Sequence, residues 1–205
     1  MAREVIKISL TEFMNYVNKS GSAKTTIVVN AKTKREEEYQ FYKDYWLKLR
    51  EKIKEVHKKK LSKEDLRTIV EEVHEDKQEN YNAAVNGYCS FWGKKKVEWV
   101  NPPRKTWSIG DIRVELNPEL GLKIKDKIYF IKLFTTSKSD IDKMHADMIL
   151  TLMEKELRDK TIDNALFGVL DIKRGKLFEY KKNDEKLYSL LKAEARSFES
   201  LWNEL

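Results

Sequence analysis

The sequence predicts an α+β or α/β fold: a mixed central sheet flanked by helices, with a mainly helical N-terminal region. Three observations lead there. Apolar residues recur at helical spacing through much of the first hundred residues. Beyond Asn101-Pro102-Pro103 the pattern changes to period two, with Ile112, Val114 and Leu116 alternating with Arg113 and Glu115. Residues 128–134 are then apolar or aromatic at every position except Lys132, the pattern of a central strand covered on both faces.

Each element has its own signal. Ser9 with Glu12 three residues on, between Ile8 and Phe13, is the capping box and hydrophobic staple of a first helix ending near Asn18. Thr25-Thr26-Ile27-Val28-Val29 is β-branched and reads as a short strand. A long helix is expected over 36–59, where Tyr42, Tyr45, Trp46, Leu49, Ile53 and Val56 form a stripe. Ser62 opens the next helix, with Leu61 and Leu66 as staple and Leu66, Ile69, Val70 and Val73 as apolar face. Another helix covers 77–93. The two prolines at 102–103 end the helical half, since they lack the donors a helix or central strand needs. The expected division is therefore a mainly helical region over 1–100 and a mixed α/β core over 101–205, with helix 77–93 assignable to the core.

In that second half, 112–116, 120–124 and 128–134 read as strands, with a turn at Lys125-Asp126-Lys127. Ser139 is placed to cap a helix running to about 159, with Asp142 at N3. Strands follow at 166–172 and 176–180 around Arg174-Gly175, and a last amphipathic helix runs from Asp184 to about Leu205. Residues 112–134 and 165–180 are expected in one sheet, with helices 77–93 and 139–159 packed on it.

Composition sets the bounds. The 205 residues suit one domain or one domain with a helical extension, and 40% hydrophobic with 11% aromatic content supplies a core. Charged residues reach 37%, so the helices carry solvated outer faces. One cysteine, Cys89, excludes an internal disulfide and suits a reducing compartment, where it reads as a small core residue. No apolar run approaches membrane-spanning length and the N-terminus lacks a secretion signal, so a cytoplasmic protein with no membrane partner is expected. His57, His74 and His145 are isolated and show no zinc spacing, and neither a phosphate loop nor a serine elbow is present.

The net charge of +7 is uneven. Lys19, Lys24, Lys32, Lys34 and Arg35 form a stretch without an acid, and Lys94-Lys95-Lys96 and Arg104-Lys105 add two clusters. Such clusters neutralise phosphates and steer polyanions, which makes DNA or RNA the candidate partner of Lys24, Lys32, Lys34, Arg35, Lys94, Lys95, Lys96, Arg104 and Lys105. A merely solvated lysine-rich surface has the same composition. Trp92, Trp99 and Trp107 lie near these clusters and suit either base stacking or the core.

Lys132 is the one polar residue in its strand, and an ammonium there needs an anion. Asn117-Pro118-Glu119, eleven residues before the run, supplies a carboxylate on the preceding strand, and the two are expected within ion-pair distance. Here the chain resembles the PD-(D/E)XK, or restriction-endonuclease-like, superfamily, over residues 77–180. The resemblance rests on element order (a helix, three strands, a helix, a further strand) and on two short motifs, Pro118-Glu119 and Lys132. It implies that Glu119 and Lys132 are the catalytic acid and lysine. It also implies Mg²⁺ as the cofactor of an active enzyme, with Glu119 as ligand and Glu115, Asp111 or Glu79 as substitutes for a missing second acid. In the family that acid lies two residues before the lysine, and here the position is Phe130. The segment 117–122 is also similar to stretches in uncharacterised bacterial proteins.

The expectation is thus a nucleic-acid-associated protein on a nuclease-like core that does not cleave phosphodiesters. Two alternatives stay open. One is a non-catalytic regulatory module that docks a protein partner on its helical half. The other is an active Mg²⁺-dependent nuclease with a rearranged second acid.

Overall fold

A computed structural model describes residues 5–36, 44–135, 141–181 and 184–205. Its architecture is α+β with mixed sheets and helices on their faces, as the sequence predicts. The strands fall into two sheets instead of the expected one. Strands β1 (Ile6–Ser9), β4 (Ile112–Leu116) and β3 (Lys105–Ile109) form a three-stranded sheet in the order β1-β4-β3. Strands β2 (Val97–Trp99), β5 (Leu120–Ile124), β6 (Lys127–Phe134), β7 (Leu166–Asp171) and β8 (Lys176–Glu179) form a five-stranded sheet in that order. The period-two pattern of 112–116 identifies a strand but not its partners. Ile112, Val114 and Leu116 are satisfied by pairing between β1 and β3.

Strand β6 is the middle strand of its sheet, antiparallel to β5 and parallel to β7. Its alternating side chains serve two cores. Tyr129, Ile131 and Leu133 face a cluster built with the helices α3 (Leu47–Lys58) and α5 (Glu75–Trp92). Ile128, Phe130 and Phe134 face a cluster shared with the three-stranded sheet and with α1 (Leu10–Val17), α6 (Lys143–Leu157) and α7 (Glu185–Glu204). Each core draws on residues from both halves of the chain.

The capping signals hold where they were strongest. Ser9 and Glu12 make a full capping box on α1, and Ser62 and Asp65 make one on the short helix α4 (Lys63–Arg67). The helix expected to start at Ser139 starts at Lys143, capped by Asp142, whose carboxylate accepts from His145 N–H at 2.8 Å. Ser139 itself lies outside the described residues.

The strand expected at 25–29 is overturned: these residues belong to the helix α2 (Ser22–Glu36). Branched side chains cost a helix only tenths of a kcal/mol, roughly 0.7 at most per residue. Here Val28 is fully buried in the core while Ile27 and Ala31 pack against it, a helical set of positions. Thr26 and Thr33 donate to the carbonyls four residues back, at 3.2 and 3.1 Å. The long helix expected over 36–59 is also shorter than read. Asp44 accepts from Trp46 N–H at 3.2 Å and pairs with Arg50, which makes a turn and starts α3 at Leu47. Tyr42 lies outside the described residues.

Helix α5 lies directly on backbone. A Cβ at Gly87 would stand 2.2 Å from the carbonyl oxygens of Ile172 and Lys173, so only glycine allows this approach. On the same helix Tyr88 is fully buried with its hydroxyl 2.6 Å from His57 Nε2. Burial pulls the His57 pKa down to about 4, against an ordinary value of 6.5. The folded state therefore holds neutral histidine, and its contribution is fully present above pH 6.5. It is lost as pH falls from 6.5 toward 4, because the unfolded chain takes up the proton first. We expect roughly 3 kcal/mol to be lost across that window. Urea midpoints of wild type and His57→Gln, measured from pH 7.5 to 4, should converge as pH falls; parallel curves would contradict it.

Among the described residues no helix is long and apolar enough to cross a membrane.

Candidate nucleic-acid interface

The β5–β6 register places Leu120 opposite Ile131. Extended by one residue, it sets Glu119 opposite Lys132. There the strand pairing of β5 has ended while β6 runs on. Glu119 finishes the ladder with its side chain: Oε2 accepts from Leu133 N–H at 2.8 Å, and Oε1 meets Lys132 Nζ in an ion pair. The two side chains are 10% and 14% exposed, so the pair is nearly sealed and each charge has its partner. This is the juxtaposition expected from the sequence.

Above the pair lies a cleft of about 510 Å³ at the sheet end where β5 begins and β2 and β6 finish. The β4–β5 connection contributes Asn117, buried Pro118 and Glu119 as its floor. One wall is α3, whose Arg50, Lys54 and Lys58 recur every four residues and so share a face, beside Glu51. The other wall is Trp99, Asn101, Pro102 and Arg104 from β2 and the chain after it. That wall stands close because Gly121 has no side chain. Val100 N–H donates to Gly121 O at 2.8 Å, and a Cβ at Gly121 would be 2.0 Å from Val100 O.

The charges in the cleft divide into paired and unpaired. Arg50 pairs with Asp44 and Lys54 with Glu51 at 2.7 Å. Burial works against the Arg50 charge, but Asp44, Glu119 and Glu51 outweigh it and raise its pKa above the usual arginine value. Lys58 and Arg104 are exposed, and among the described residues neither has a carboxylate partner. Lys58 Nζ lies 5.1 Å from the centre of the half-buried Trp99 ring.

The other basic residues named from the sequence lie elsewhere, and most are engaged within the chain. Lys24 pairs with Glu194 and covers the Tyr16 ring at 4.7 Å. Lys32 and Arg35 sit over the Trp202 ring at 5.5 and 5.7 Å, and Arg35 also donates to Val5 O at 2.6 Å. Lys34 is exposed, 3.7 Å from Glu12. Lys94 and Lys96 are exposed, while Lys95 donates to Phe91 O in the last turn of α5. Lys105 pairs with Glu156 and Asp159 at 3.5 and 3.4 Å. Trp107 is core, and Trp92 packs on His57 with ring centres 4.6 Å apart, so of the three tryptophans named only Trp99 lines the cleft.

The acids named as Mg²⁺ ligands do not converge. Glu115 is on the exposed side of β4 and accepts from Asn117 Nδ2 at 3.1 Å. Asp111 turns between β3 and β4, with its N–H given to Glu199 at 2.7 Å, and Glu79 is exposed on α5. Phe130, at the place of a second acid, is buried in the core. Among the described residues no three His, Cys, Asp or Glu side chains are grouped to hold a cation, and both Glu119 oxygens are committed to Lys132 and Leu133. A Mg²⁺ ion needs about six oxygen ligands, several of them carboxylate or water, so this donor set does not fit it.

The sequence reading missed Arg50, Lys54 and Lys58. Their four-residue spacing was visible, but it is interleaved with Glu51, Glu55 and the apolar stripe of α3. No protein-family model and no curated protein matches the chain.

Proposed function

We propose that this is a nucleic-acid-binding protein on a nuclease-like core, and that the cleft beside Glu119 and Lys132 holds the phosphate backbone without cleaving it. The observation that carries the reading is the pair of cations without a carboxylate partner, Lys58 and Arg104, lining one cleft with a tryptophan in its wall. Cations whose charge no carboxylate neutralises are the ones free to displace counterions from phosphate, and the Trp99 ring beside Lys58 leaves its charge in place. An indole beside them offers a surface on which any base can stack.

The nuclease-like part of the reading draws support from element order. Helix α5, strands β2, β5 and β6, helix α6 and strand β7 follow one another, interrupted by β3 and β4, which join the other sheet. On this reading Glu119 and Lys132 would take the family's acid and lysine places. In this chain their charges neutralise each other, so the lysine is not free to activate a water, and hydrolysis is not expected.

Binding should be micromolar or weaker at physiological salt and should weaken steeply as salt rises. Lys54→Glu/Lys58→Glu should weaken a short single strand about tenfold or more at low salt, since it reverses two of the four cations in the cleft. Lys32→Glu/Lys34→Glu on α2 should weaken it far less. A fluorescence anisotropy titration over salt measures both. Absence of binding to any single strand or duplex at low salt overturns the reading, as does Mg²⁺-dependent hydrolysis that Glu119→Ala abolishes.

A further inference from the structure

We infer that the cleft recognises the terminal phosphomonoester of a nucleotide, at the end of a single strand. The inference rests on the nucleic-acid reading above and narrows its ligand. Two features of the cleft carry it.

The first is size. A volume of about 510 Å³ lies within the range of small-molecule pockets, about 300–1,000 Å³. It admits one nucleotide and not a duplex, and buried Pro118 with the nearly sealed Glu119–Lys132 pair closes its floor. A continuous strand would have to pass over this floor, whereas an end can enter.

The second is charge. Arg50, Lys54 and Lys132 are each already neutralised, by Asp44, Glu51 and Glu119. What remains is Lys58 and Arg104, two positive charges lining the same cleft. A phosphomonoester carries about −1.5 to −2 at neutral pH, while a phosphodiester carries a single charge. Two unpaired cations therefore match a terminal phosphate better than an internal one. Arg104 offers a planar fork for two phosphate oxygens, and Lys58 offers a point charge held beside the Trp99 ring. The base next to that phosphate would lie along the indole.

The test is anisotropy of an eight-nucleotide single strand in three forms: 5′-phosphorylated, 3′-phosphorylated and with hydroxyls at both ends. The dye is placed at the end opposite the phosphate, and a free nucleoside monophosphate is added as competitor. One phosphorylated form should bind about tenfold more tightly than the hydroxyl form, the gain from one further charge-assisted contact. Lys58→Gln and Arg104→Gln should each bring the two affinities together. Both residues are exposed, so the folded state should persist, and circular dichroism verifies it. Displacement by the free monophosphate at concentrations near the strand's own Kd would show that the pocket takes the nucleotide itself and not a strand end. Equal affinity for all three strands overturns the inference and leaves nucleic-acid binding standing. No binding of any strand overturns both.

Discussion

Lys132→Met should destabilise the protein by about 3–5 kcal/mol, the usual cost of removing one partner of a buried ion pair. Glu119 would keep its bond from Leu133 N–H but would face an apolar side chain where the ammonium had been. With a side chain only 10% exposed, it has little water to turn to. Adding Glu119→Gln should recover most of the loss, because the amide oxygen still accepts from Leu133 and no charge is left buried. Chemical unfolding of wild type, Lys132→Met and the double variant measures this. A Lys132→Met variant as stable as wild type would show that the pair contributes nothing to holding β5 and β6 together.

Gly121→Ala should cost about 3 kcal/mol and should also impair binding. The added methyl would meet Val100 O at 2.0 Å, a backbone atom that cannot rotate away. Relief requires lifting the end of β2 and the segment after it, which carry Trp99, Asn101, Pro102 and Arg104, one wall of the cleft. The variant should thus lose thermal stability and, where still folded, bind a short strand more weakly than wild type. An alanine that leaves both quantities unchanged would contradict the close crossing of this segment over β5.

The centre of the site was legible because one residue broke a strong pattern. Lys132 is conspicuous in an apolar strand, and Glu119 lies one hairpin away, so strand pairing alone brings them together. The same periodicity located β4 to β8, α5 and α7 within a few residues. What it could not supply was partnership. Strand β1 is four residues overlapping a helix cap, β2 is three residues, and β3 begins on a lysine, so none offers a long alternating run. Without them the division of β4 from β5 into separate sheets was invisible. Helix α2 runs against the β propensity of its branched residues because burial of Val28 in the core, with Ile27 and Ala31 packed beside it, decides the matter. The cleft needed all of this at once. Its walls come from α3 and from β2 with the segment after it, and nothing local says that they meet beside Pro118-Glu119.

Nucleic acid is expected to lie in the cleft beside Trp99 and not along α2. Photo-crosslinking a single strand carrying 5-iodouracil beside its end, followed by mass spectrometry of the joined peptide, reads that position directly. The halogenated base couples to an adjacent aromatic ring. Crosslinks to Trp99 are expected, weakened in Arg104→Gln and suppressed by rising salt. Crosslinks concentrated on Trp202 or Tyr16, the rings beneath the basic residues of α2, with none on Trp99, would contradict it.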